Sequence, residues 1–207
     1  MVRRRRLYAP LPSSQSSEPL ADVRGTAKSE FLISGSADNT MKLWKVSTGQ
    51  CLFSWEFPTA VKRVAWSEDD SKVVLVTEQR MGHQGAIRVF EINRTGGTRA
   101  SRSISSPASL SEKLMDDGDA ATESEEPETL INPVGSKAQV VSFADLDRCI
   151  LSGHESGKVA LWDAKSGEEI ESREKNHVGL VTDLQLSADR TYFVTSSKDK
   201  SARVRPT

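Results

Sequence analysis

Three histidines, two cysteines and many short acidic and hydroxyl side chains are the raw material for chemistry in this chain. His83, His154 and His177 stand far apart, and none forms a metal-ligand spacing with another histidine or with Cys51 or Cys149. Both cysteines sit inside apolar runs, which fits reduced thiols rather than a disulfide framework. No glycine-rich phosphate loop, Gly-x-Ser-x-Gly elbow or Ser/His/Asp set can be assembled. His154, flanked by Gly153 and Glu155, has the character of a base. At a strand-to-turn position in a repeat, however, an imidazole is expected to be a structural hydrogen-bonder. The residues therefore predict no catalytic site, no cofactor and no metal.

The elements that carry these residues repeat. Residues 35–49 and 153–167 are two copies of one phrase, opened by Gly35 and Gly153, carrying Trp44 and Trp162 at the same offset, and closed by Gly49 and Gly167. A third copy begins at Ser196 and places Arg205 where the tryptophan stands in the others. Repetition of this kind marks arrays and propellers, whose units bury their apolar faces only against one another. Short strand-like segments surround each copy. They fall at residues 31–35, 41–46, 51–57, 61–66, 72–77 and 86–92, then at 129–132, 137–143, 148–153, 158–162, 169–172, 180–186 and 191–196. Alternation, as in 41–46, predicts one buried face, and the unbroken run at 72–77 predicts burial on both. Turns at 67–70, 144–147 and 187–190 match in position and carry Asp and Ser side chains suited to tight hairpins. Gly49 and Gly167 suit a left-handed turn into a fourth, outer strand.

Groups of four short antiparallel strands with a tryptophan on the third describe the blade of a WD-repeat β-propeller, and Trp162-Asp163 is the WD dipeptide itself. The expected fold is all-β: a partial WD-repeat propeller of about three blades plus incomplete flanking strands. It is expected to occupy residues 30–207, after an Arg/Ser/Pro-rich tail at 1–29. Residues 94–128, basic at first and then acidic, read as a disordered charged insertion within one blade, because strand signals resume directly after it.

In such a blade, an Asp in the turn before the third strand caps backbone N–H groups. It also connects, through a His and a strand hydroxyl, to the indole N–H of the tryptophan, so that buried polar groups are paired. Asp38 with Trp44, and Asp199 with His177, match parts of that network; Ser34, Ser36, Thr195 and Ser197 are the candidate hydroxyls. Trp162 and Asp163 belong to the same structural set. No blade supplies every member, since Ser156 replaces the Asp in one and Arg205 the tryptophan in another.

Charge narrows the function classes. Lys and Arg number 28 against 29 Asp and Glu, a net charge of -1, which argues against binding nucleic acid through bulk charge. Arg3–Arg6 and the Arg94, Arg99 and Arg102 group lie in low-complexity sequence with few aromatics, so no base-reading or stacking surface is predicted. Ser103–Ser106 beside Pro107 form a weak kinase-acceptor pattern. The Arg-rich start has features of a targeting segment, but Pro10 and Pro12 interrupt the helix a presequence needs. No apolar stretch is long enough to span a bilayer.

Five stretches resemble subunit i of eukaryotic translation initiation factor 3: residues 32–52, the long turn at 77–86, residues 150–158, which include Gly-His-Glu-Ser-Gly at 153–157, residues 163–168 and residues 183–202. The resemblance covers about residues 30–93 and 129–204. It implies a seven-bladed, non-catalytic, cytoplasmic scaffold of the initiation factor 3 complex. Such a subunit binds subunits b and g, rides indirectly on the small ribosomal subunit and supports mRNA recruitment. A kinase-receptor-associated WD adaptor is the alternative within the family, and a truncated gene product without independent function is the alternative outside it. In the family, two blades follow the segment matching residue 204 and carry much of the contact with subunit b, so no partner-binding residue is transferred. Open sheet edges predict that the chain associates or is poorly soluble when expressed alone.

Overall fold

The computed structural model describes residues 20–26, 30–80, 82–92 and 129–207, and every regular element among them is a strand. Four antiparallel sheets follow one another. The first holds β1 (Leu20–Gly25), β2 (Phe31–Ser36), β3 (Thr40–Lys45) and β4 (Gln50–Glu56). The second holds β5 (Val61–Trp66), β6 (Lys72–Thr77), β7 (Ile87–Glu91) and β8 (Thr129–Ile131). The third holds β9 (Ala138–Ala144), β10 (Cys149–His154), β11 (Val159–Asp163) and β12 (Glu169–Arg173). The fourth holds β13 (Val181–Leu186), β14 (Tyr192–Ser197) and β15 (Ala202–Pro206). Each sheet is a meander in chain order. The first strands β1, β5, β9 and β13 touch in succession and form the inner wall of an unclosed propeller.

Two expectations about boundaries meet the structure here. Leu20–Gly25, placed in the tail by its weak apolar pattern, is the innermost strand of the first sheet, paired Val23 to Ser34. Most of its residues are exposed, so it lacks the buried-run signal that marks the other strands. The rest of the expected tail, residues 1–19 and 27–29, lies outside the described residues. The charged insertion lies outside them as well, but its flanks are adjacent strands of one sheet, with Ile87 opposite Ile131 and Val89 opposite Thr129.

Packing explains the patterns. On β6, Val73 and Leu75 join the core against the first sheet, while Val74 and Val76 join the core against the third. One unbroken apolar run thus serves two interfaces, and burying each side chain contributes roughly 1.5–3 kcal/mol. The alternating β3 sends Met41 and Leu43 into the core. Gly35 and Gly153 occupy the same point of β2 and β10, where the next inner strand crosses closely. A Cβ there would stand 2.6 Å from Val61 Cγ1 and 2.5 Å from Val181 Cγ1 respectively. Gly49 and Gly167 adopt φ of 70° and 74° before the outer strands, as their turns require.

Candidate functional site

Strand register defines a recurring polar position. Ser34 faces Lys42, Ser152 faces Ala160 and Thr195 faces Arg203, each on the second strand of its sheet. Two residues further along the third strand stand Trp44, Trp162 and Arg205. In the first sheet the Trp44 indole N–H donates to Ser34 Oγ at 2.9 Å. Asp38 stays in its turn, where its carboxylate accepts the Thr40 amide and hydroxyl at 3.0 and 2.7 Å.

The third sheet closes a longer relay. Trp162 Nε1–H donates to Ser152 Oγ at 2.7 Å, and Ser152 Oγ lies 2.7 Å from His154 Nε2. His154 Nδ1 lies 3.1 Å from the Ser136 carbonyl, which only accepts. The proton therefore sits on Nδ1, Nε2 accepts from the serine hydroxyl, and the imidazole is neutral. Burial pushes the His154 pKa down, consistent with that tautomer. Ser152 is absent from the candidate hydroxyls read from sequence, whereas His154 is expected there as a structural hydrogen-bonder without a partner being named. The signal was present, because Ser152 precedes Trp162 by the same ten residues that separate Ser34 from Trp44. Asp163 stands apart from this relay: its carboxylate receives the Lys165 and Ser166 amides at 2.9 and 2.7 Å and holds the turn into β12.

The fourth sheet joins the expected His177 and Asp199. Nδ1 of His177 donates to Asp199 Oδ2 at 3.0 Å, and Nε2 lies within hydrogen-bonding distance, 2.8 Å, of the Thr195 hydroxyl. The Ser201 hydroxyl, aided by the Val178 and Ser201 amides and by His177, holds the Asp199 carboxyl well below the usual range. With Arg205 in the tryptophan position, Asn176 supplies the missing donor, and its Nδ2 reaches Thr195 Oγ1 at 3.2 Å. The second sheet is apolar at both of these positions, while Thr77, two residues beyond Leu75, is bonded by Arg88. Leu75, opposite Arg88, takes the hydroxyl position, and buried Phe90 takes the tryptophan position. Losing donor and acceptor together leaves nothing unpaired.

Other charged groups tie blades to one another. Asp147 Oδ2 accepts the Glu68 amide at 2.7 Å, while Arg190 lies 3.4 Å from Glu68 and 3.8 Å from Asp147, linking turns of three sheets. Asp70, Asp147 and Arg190 hold equivalent left-handed turn positions, with φ of 56°, 66° and 58°. Asp22 Oδ2 accepts the Val64 amide at 3.2 Å, joining the first sheet to the second. His83 lies apart from all of these networks, paired through its backbone with Arg80. Among the described residues, no group of three His, Cys, Asp or Glu is placed to hold a metal ion. What the arrangement does is fasten strands and blades.

Comparison with known proteins follows the same lines. The WD domain, G-beta repeat family matches residues 14–45 and 170–205. Eukaryotic translation initiation factor 3 subunit I of Mycosarcoma maydis is 47% identical over 191 residues, 88% of this chain and 48% of the relative. The subunit I of Emericella nidulans is 44% identical over 175 residues (84% of this chain, 46% of the relative), and that of Schizosaccharomyces pombe 43% over 176 residues (84% and 47%). The chain spans about half the length of the curated relatives it matches. In its paired strands, its tryptophan networks and these identities the chain is similar to WD-repeat proteins, subunit I of eukaryotic translation initiation factor 3 among them.

Proposed function

We propose that this chain acts as a non-catalytic scaffold in the translation initiation factor 3 complex. It contributes propeller blades on which subunits of the b and g type assemble, and through them it reaches the small ribosomal subunit. The observation that carries this reading is its identity of 40–47% to subunit I relatives over more than four fifths of its length. The use of its buried polar groups as strand fasteners supports a structural role, since His154 and His177 are both engaged with their own or neighbouring strands and loops. No helix among the described residues is long and apolar enough to cross a membrane, and a cytoplasmic location accompanies a role in translation. Affinity purification of the tagged chain from eukaryotic cells tests the proposal. Subunits b and g are expected to copurify and to sediment with the small ribosomal subunit. Recovery of folded chain without either subunit overturns the reading.

A further inference from the structure

The four sheets stack by one rule. In each, the second and third strands present apolar side chains to the sheet that follows. Ile33, Met41 and Leu43 of the first sheet enter the core shared with the second. Val74, Ile87 and Val89 of the second enter the core shared with the third, and Leu151, Val159 and Leu161 of the third enter the core shared with the fourth. Register makes these presenting triads equivalent, because Ile33 lies opposite Leu43, Val74 opposite Val89 and Leu151 opposite Leu161. Each shares its core with a receiving triad from the first and second strands of the next sheet. These are Val61, Val64 and Val73, then Ala138, Val141 and Ile150, then Val181, Leu184 and Phe193.

One face of each kind is bare. On the fourth sheet the presenting triad is Val194, Ala202 and Val204, with Val194 opposite Val204. Val194 is 41% and Val204 63% exposed, and the exposed pair Tyr192 and Pro206 extends the patch along the same two strands. On the first sheet the receiving triad is Leu20, Val23 and Leu32. Val23 lies opposite Ser34 as Val64 lies opposite Leu75 and Leu184 opposite Thr195. Leu20 is 54% and Val23 41% exposed, and Leu32 is half-buried. Contiguous exposed apolar side chains of this kind mark interaction surfaces.

We infer that these two faces dock on each other between two copies of this chain. Val194, Ala202 and Val204 of one copy pack on Leu20, Val23 and Leu32 of the second, and the second copy returns the same contact. The three cores within the chain supply the argument for this occupant, since each joins a presenting triad to a receiving one. Two copies of four sheets make eight, within the range of blades over which propellers close. Two identical contacts about a twofold axis then cover both faces of both copies. A single peptide strand fits less well, because each receiving triad spans two strands of one sheet. The inference rests on packing alone and stands independently of the scaffold reading.

Light scattering on the full chain after size-exclusion chromatography tests it. The parent is expected at twice the mass of one chain. Val204→Asp on the presenting face and Val23→Lys on the receiving face are each expected to raise the dissociation constant about tenfold or more, the scale of a hot-spot contact. Both side chains are exposed, so neither change threatens the fold of a single copy, and circular dichroism of each variant verifies this. An equal mixture of the two variants is expected to regain the double mass. One contact of the mixed pair is then unaltered, and the other sets the new acid against the new base. Val134→Asp, in the exposed loop between β8 and β9, leaves the mass unchanged. A monomeric parent, a dimer that neither variant weakens, or a mixture that stays monomeric overturns the inference. So does a ladder of rising masses, the mark of an open head-to-tail series in place of a closed pair. A different protein held on the parent instead of a second copy, and lost in Val204→Asp, overturns it as well.

Discussion

Replacing Ser152 by Ala removes the hinge of the third-sheet relay. The Ser152 hydroxyl accepts from Trp162 Nε1 and donates to His154 Nε2, both at 2.7 Å. Trp162 is 6% exposed, His154 1% and Ser152 0%, so water has no ready access to replace it. An orphaned buried donor or acceptor costs about 1–3 kcal/mol, and two are created, so a loss of about 2–6 kcal/mol is expected. Ser34→Ala is the matched control. It breaks the same bond to Trp44, whose side chain is only partly buried and can be rehydrated, and a loss of about 1 kcal/mol is expected. Urea titrations at pH 7.5, followed by tryptophan fluorescence, measure both. Equal losses, or a Ser152→Ala loss below about 1 kcal/mol, would refute the claim that burial of the relay sets its worth.

Other expectations follow from the same geometry. Gly157→Ala should destabilise severely, by more than about 2 kcal/mol, because φ is 87° and a Cβ would stand 2.1 Å from the His177 carbonyl oxygen; Gly49→Ala, at φ 70° with open space around it, should cost only about 1 kcal/mol. Differential scanning calorimetry separates the two, and equal shifts would count against the close approach. Phe90→Trp should destabilise by stranding an indole N–H beside Leu75, and adding Leu75→Ser should recover part of the loss. A double-mutant cycle with a coupling near zero contradicts the pairing. Because burial lowers the His154 pKa from 6.5, the unfolded chain binds the extra proton first. The stability held by neutral His154 is complete above that value and is lost as pH falls below it, by at most about 1.4 kcal/mol per pH unit. His154→Gln should flatten the decline between pH 7 and pH 5, and an unchanged slope removes His154 as its source.

Much of the architecture is written in residues that are neighbours along the chain. The alternation of 41–46, the double-sided run at 72–77 and the glycines 49 and 167 reflect local steric and solvation preferences, and the structure realises each one as read. The copied phrase with its tryptophan placed β3, β11 and even β15, where Arg205 stands opposite Phe193 as Trp44 stands opposite Leu32. β1 escaped notice because a mostly exposed strand has no apolar rhythm to show. Hydrogen-bond partners belong to another level. That His154 turns to the Ser136 carbonyl, that Asn176 replaces a tryptophan as donor to Thr195, and that Asp163 serves only its own turn depend on groups brought together by sheet packing. The bond from Arg63 to the Thr182 carbonyl arises only when strands more than a hundred residues apart are packed side by side. Periodicity and turn chemistry act over a few residues and survive in any reading of the chain; pairing of buried polar groups is settled by which distant atoms arrive within 3 Å, and that is decided by the folded packing alone.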